Sequence, residues 1–191
     1  MLIAGVGGQG LVTLTKILAK AAFLQGYDVK TSELHGLSQR GGSVETHIRF
    51  GEKVYSPLIG LGEADFILSL EISEALKMIP FSNKETVFLV NENYIPFENS
   101  LSLEETKKRI KKLTKYLIPA SDICKKELGN EVVSGIYLLG FAVFKKMIPL
   151  KPNSILKAID PSPFTKGERV EQVVPEKYSE LNKKAFNLAN D

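Results

Sequence analysis

The chain has 191 residues, 43% of them hydrophobic, which is enough for one sizeable core and too few for several full domains. Lys plus Arg number 25 against 22 Asp plus Glu, and a net charge of +3 excludes a strong global field for nucleic acid or membrane, so any anion site must be local. The single cysteine, Cys124, excludes an iron–sulfur cluster or a cysteine-rich zinc site held by this chain alone, and His35 and His47 lack the spacing of a metal motif.

Met1 to Ala4 reads as a short buried strand, too short for a signal peptide, and no later apolar stretch reaches membrane-spanning length, so a cytoplasmic protein is expected. Gly5-Val6-Gly7-Gly8-Gln9-Gly10 is the turn after that strand. Leu11 to Leu24 then places Leu11, Leu14, Leu18, Ala21 and Ala22 on one helical stripe, and Gly26 ends the helix. Asp28 to Ser32 reads as a second strand, which would complete a Rossmann-like βαβ unit with a parallel pair and a right-handed crossover. A second glycine turn follows, Gly36-Leu37-Ser38-Gln39-Arg40-Gly41-Gly42-Ser43.

From Val44 the residues alternate, Val44, Thr46, Ile48 and Phe50 against Glu45, His47 and Arg49, and Gly51-Glu52 predicts a hairpin into Lys53 to Leu58. Ala64 to Leu70 is a compact apolar strand followed by a helix through Ala75, Leu76 and Met78, and Thr86 to Asn91 repeats the strand signal. These elements predict an α/β fold in three layers, α/β/α, around a mixed, mostly parallel sheet.

Ser102 with Glu105 is a capping box, opening a helix expected to face the core through Leu103, Ile110, Leu113 and Leu117. The basic run from Lys107 to Lys115 follows Glu104 and Glu105 without an aromatic ladder, the pattern of a solvated face rather than a nucleic-acid surface. Cys124 reads as a small helix-packing residue. Glu131 to Met147 is apolar almost all round and must be covered on several sides, by this domain or another subunit. Pro161 to Pro175 reads as a crossing loop before a last helix, Glu176 to Leu188. One domain, 1–191, is expected, with a C-terminal arm of about 161–191 that either wraps a partner or packs on its own domain.

Both glycine turns expose backbone N–H groups without a Cβ shield, and Arg40 adds a guanidinium fork, so together they suit an anion. Taken alone, Gly5-x-Gly7-x-x-Gly10 fits the dinucleotide fingerprint, for which Asp28 or Glu33 would be the ribose-binding acid, or it serves only close strand-to-helix packing. Arg40 either meets an anion or pairs with Glu33 or Glu45.

The order of Gly5-Val-Gly-Gly-Gln-Gly10, Thr31-Ser-Glu-Leu-His-Gly-Leu-Ser-Gln-Arg-Gly-Gly-Ser43, Lys53-Val-Tyr-Ser-Pro-Leu-Ile59 and Gly62-Glu-Ala-Asp65 resembles the small subunit of 2-oxoacid:ferredoxin oxidoreductases. It is most similar to the beta subunit of the indolepyruvate enzymes, equivalent to the gamma domain of single-chain pyruvate:ferredoxin oxidoreductases. The likeness is densest from Ala4 to about Leu76 and continues through Leu138-Leu139-Gly140 and Leu181 to Phe186. Members of that family usually begin a little earlier than Met1, so a short first strand is expected here.

The resemblance implies a complex that oxidatively decarboxylates a 2-oxoacid, with indolepyruvate or another aryl pyruvate the expected substrate, to an acyl-CoA while ferredoxin is reduced. Thiamine diphosphate, Mg and 4Fe-4S clusters would reside in a large partner subunit, because this chain has neither the cysteines nor an acidic Gly-Asp-Gly…Asn signature. The chain itself would bind no cofactor firmly, supply no catalytic residue and be inert alone. Gly7, Gly8, Gly10, Ser38, Gln39, Arg40, Gly41 and Gly42 would line a surface facing the partner's active site, holding an anionic group such as a phosphate of the co-substrate CoA, or would simply form the subunit contact. The alternative from another class is a free-standing Rossmann-type dinucleotide- or nucleotide-binding protein.

Overall fold

The computed structural model describes residues 1–36, 41–97, 100–160 and 174–190. Strand β1 (Leu2–Val6) is buried along its whole length, as expected of a run with no polar residue. Gly10, at φ 79°, turns the chain into helix α1 (Leu11–Leu24), whose apolar stripe Leu11, Leu14, Leu18, Ala21 and Ala22 is buried as its spacing predicts. The helix ends in a turn at Gly26, φ 84°.

Strands β2 (Asp28–His35) and β3 (Ser43–Gly51) follow, then β4 (Ala64–Ser69), helix α2 (Ile72–Lys77), β5 (Ser82–Asn91), α3 (Leu103–Ile110) and β6 (Tyr116–Ile118). The sheet order is β2-β3-β1-β4-β5-β6. β1, β4, β5 and β6 are parallel neighbours, whereas β3 is antiparallel to both β1 and β2. The sheet is therefore mixed and mostly parallel, but β2 does not lie against β1. β3 inserts between them, pairing Leu2 with His47 on one edge and Asp28 with Gly51 through His35 with Val44 on the other.

Burial explains the insertion. Thr46, His47 and Ile48 in β3 are 0%, 2% and 0% exposed, so the strand needs cover on both faces and a neighbour on each edge. β2, with Glu33, Leu34 and His35 exposed, tolerates the edge. The expected hairpin from Gly51 into Lys53–Leu58 does not form, because both edges of β3 are already occupied. The segment is held instead by side chains: Val54 N–H donates to Asp28 Oδ2 (2.8 Å) and Arg49 Nη1 to Leu58 O (3.2 Å). Ile59 N–H donates to His47 Nδ1 (3.0 Å), so the hydrogen of this buried ring sits on Nε2, 2.6 Å from Glu45 Oε1.

Ser102 caps α3 through Glu105 N–H as the sequence suggests, but the helix stops at Ile110. Leu113 is exposed and Leu117 belongs to β6. Thr114 diverts the chain: its hydroxyl donates to Phe88 O (2.6 Å) and accepts from Tyr116 N–H (2.9 Å).

After β6 the chain is helical, with α4 (Ala120–Leu128), α5 (Ser134–Phe144), α6 (Pro152–Ile159) and α7 (Glu176–Leu188). The long apolar helix read at 131–147 is shorter than expected, entering through a 3-10 turn at Glu131–Val133 and leaving at Lys146, φ 55°. Helices α1, α4, α5, α6 and α7 pack on one face of the sheet over Ile3, Ile48, Phe66, Leu68 and Leu89. Helices α2 and α3, with Ile59, cover Leu2, Ala4, Ile67 and Val90 on the other.

Residues 161–173 lie outside the described residues, while α7 packs on its own domain, burying Ala185 and Phe186, with the Phe186 ring 5.0 Å from that of Phe144. Gly140 makes the α5–α7 contact possible: a Cβ there would overlap the Phe186 carbonyl oxygen and lie 2.9 Å from Ala189 Cβ. Gly140→Ala should therefore cost roughly 1–3 kcal/mol in urea unfolding. An unchanged midpoint would show that the two helices can part freely.

Candidate functional site

Parallel strands deliver their following loops to one edge, and here that edge collects the first glycine turn after β1, Leu70-Glu71 after β4, the segment after β5 and Pro119 after β6. Because β3 runs the other way, it begins at the same edge, and Val6 pairs with Ser43. Gly7 N–H donates to Gly42 O (2.9 Å), joining the two glycine turns.

Of the residues singled out in the sequence, Gly7 and Gly8 thus stand beside Gly41 and Gly42. Gly8 is exposed at φ 102° and Gly41 is exposed at φ 72°, conformations that suit glycine. Gly10 stands at the helix end of the first turn, beside a mainly apolar cavity of about 340 Å³ that Leu14, Ile136 and Tyr178 also line. Ser38, Gln39 and Arg40 lie outside the described residues, between exposed Gly36 and Gly41. A larger cleft of about 660 Å³, lined by Arg49, Lys53, Glu63 and Asp65, lies at the opposite end of the sheet.

The acids that a dinucleotide site would need are elsewhere. Asp28 opens β2 at the far end and accepts from Val54 N–H, while Glu33 is exposed on β2, two strands from β1. Glu45, one of the two acids expected to pair with Arg40, is hydrogen-bonded to His47 at 2.6 Å.

Side chains that pattern reading passes over hold the edge from behind. Ser43 Oγ donates to Glu74 Oε2, and Lys77 Nζ lies 2.6 Å from Glu74 Oε1. Glu71 caps α2 by accepting from Glu74 N–H (2.8 Å) and also accepts from Ile95 N–H (3.1 Å). Gln9 Oε1 accepts from Val6 N–H (2.8 Å), while Gln9 Nε2 and Asn91 Nδ2 both donate to Leu70 O, at 3.3 and 3.2 Å. Asn91 reaches Ser121 Oγ as well, at 2.8 Å. Little signal for this support is present in the sequence, because Glu71 at the helix start is not one of the residues that usually cap a helix.

Glu71 and Glu74 are 1% and 3% exposed. Burial pushes the Glu71 carboxyl above its ordinary range, the N–H groups of Glu74 and Ile95 oppose that, and the Glu74 charge adds to it. The only thiol is unsuited to metal or redox work. Cys124 is buried in α4, and burial pushes its pKa up to about 11. Among the described residues no group of three His, Cys, Asp or Glu side chains is placed to hold a metal ion, and no helix is long and apolar enough to cross a membrane. The donor set does not fit an iron–sulfur cluster.

Residues 1–191 match the family of pyruvate ferredoxin/flavodoxin oxidoreductases. The indolepyruvate oxidoreductase subunit IorB of Pyrococcus horikoshii is 34% identical over 197 residues, covering 98% of this chain and 92% of that protein. The IorB subunit of Archaeoglobus fulgidus is 36% identical over 168 residues, 83% of each chain. The solved gamma subunit of a keto/oxoacid ferredoxin oxidoreductase from Geobacter sulfurreducens shares the fold, with TM-score 0.67 and 24% identity over 99% of this chain and 94% of that one. The chain belongs to the pyruvate ferredoxin/flavodoxin oxidoreductase family. Within it, the chain is a small subunit of a 2-oxoacid ferredoxin oxidoreductase and so part of an enzyme complex.

The buried carboxyl at Glu71 predicts a pH signature. A raised folded-state pKa means that the native state holds the proton longer than the unfolded chain, so stability falls as pH rises above the ordinary carboxyl range. The unfolding free energy of the native chain minus that of Glu71→Gln should decline across that interval. A difference that grows with pH would show that the N–H donors outweigh burial.

Proposed function

We propose that the complex served by this chain oxidatively decarboxylates an aryl pyruvate such as indolepyruvate to the acyl-CoA and passes the electrons to ferredoxin. Support comes from the likeness to IorB subunits over 98% of the chain. The chain's lone, buried thiol supports placing the 4Fe-4S clusters, thiamine diphosphate and Mg in a large partner subunit. Thiamine diphosphate there would supply carbanion-stabilising chemistry.

This chain's part is shape and charge. The observation that carries the reading is the bond between Gly7 N–H and Gly42 O, which sets two glycine turns side by side at one edge of the sheet. That edge faces the partner's active site, and Gly8, Gly10, Ser38, Gln39, Arg40 and Gly41 help hold an anionic group such as a CoA phosphate. Backbone N–H groups and a guanidinium bind phosphate strongly where water is excluded.

Arg40→Ala in the assembled complex should raise KM for CoA roughly tenfold or more, the loss of one charge-assisted contact, and leave kcat for indolepyruvate within about twofold. Unchanged KM and turnover would remove Arg40 from the CoA site. Weaker association of the subunits with unchanged KM would make the turns a subunit contact instead. In the same assay indolepyruvate should exceed pyruvate in kcat/KM, and the reverse order would overturn the substrate assignment.

A further inference from the structure

In an open α/β sheet, ligands enter the crevice at the carboxyl ends of the strands where connections diverge to opposite faces. That point lies between β1 and β4: β1 leads into α1 on one face and β4 into α2 on the other. In dinucleotide-binding proteins a pyrophosphate fills this place. In this chain a side chain fills it.

Gln9 spans the crevice. Its carboxamide oxygen accepts from Val6 N–H (2.8 Å) and its nitrogen donates to Leu70 O (3.3 Å), so the last amide of β1 and the carbonyl just beyond β4 are linked through one residue. Gly5 makes room, since a Cβ there would lie 2.7 Å from Gln9 Oε1 and 3.2 Å from Leu70 Cβ. Two further donors of the turn are engaged internally, Gly7 N–H by Gly42 O (2.9 Å) and Gln9 N–H by Val6 O (3.1 Å). Next to the plug, Asn91 is wholly buried and braces the same Leu70 carbonyl.

We propose that Gln9 is a built-in ligand: its carboxamide oxygen takes the place of a phosphate oxygen on Val6 N–H, and it is the specificity determinant that closes this crevice to dinucleotides. The glycine fingerprint is retained as geometry while its ligand is replaced by a side chain. An anion met by this subunit is therefore met outside the crevice, on the exposed side of Gly8 and Gly41. This goes beyond the partner-facing role proposed above and does not rest on it, because it concerns the isolated chain.

The test uses the full chain and inorganic pyrophosphate as probe, with NAD as a second probe, titrated by calorimetry. Gln9→Ala empties the crevice and frees Val6 N–H, and should bind pyrophosphate roughly tenfold or more tightly than the native chain, as a newly available charge-assisted site would. Gln9→Met frees the same backbone groups but keeps the crevice full, and should bind no better than the native chain. Gln9→Ser serves as a second opening variant should the alanine form fail to fold, with thermal unfolding recorded for each. Equal affinity in the native chain and the opening variants overturns the proposal, as does a gain in Gln9→Met equal to that in Gln9→Ala, which would make loosened backbone the cause.

Discussion

The carboxyl edge of the sheet is built around one backbone contact, Gly7 N–H to Gly42 O at 2.9 Å, and the strand insertion that makes it possible. Had β2 paired with β1 as a simple βαβ unit requires, the second glycine turn would stand a strand away from the first. Placing the antiparallel β3 between them starts that strand at the carboxyl edge, where Val6 and Ser43 are paired. The cost is a central strand buried on both faces, which is why Thr46 and His47 lie in the interior and why His47 must have both ring nitrogens engaged.

The two turns are supported differently. The first is held by Gln9 from within the crevice, a neutral brace between β1 and the end of β4. The second leaves along Ser43, whose hydroxyl is held by Glu74, itself balanced by Lys77 and capped through Glu71. Rigid side chains behind a glycine-rich surface give it a defined shape without bulk at the front, which suits the partner-facing role proposed for it. Burial of the chain's own thiol in α4 pushes its pKa up to about 11.

What can be read along the chain is what local periodicity encodes. The stripe Leu11, Leu14, Leu18, Ala21 and Ala22 gives α1 its bounds, and the composition of Glu176 to Leu188 does the same for α7. The Ser102–Glu105 cap is legible for the same reason, since capping is a contact over three residues. Alternation from Val44 to Phe50 identifies a strand but carries no information about its neighbours, so the hairpin it suggests joins β3 to the wrong segment. Pairing is decided by which edges need cover over long range. β6 escapes pattern reading because its three residues follow a run of lysines that reads as continued helix, and a single hydroxyl, Thr114, ends it. Gln9 is invisible as a brace because one polar residue in a glycine turn has no period, and only the space above Gly5 reveals its role.

Amide hydrogen exchange of the chain, free and assembled with its large subunit, tests the orientation of the molecule most directly. Protection gained on assembly should concentrate in residues 5–14 and 36–46 at the carboxyl edge, with 53–62 at the other end unchanged. Protection confined to 53–62, with the two glycine turns exchanging as fast in the complex as in the free chain, would contradict the placement of this edge against the partner.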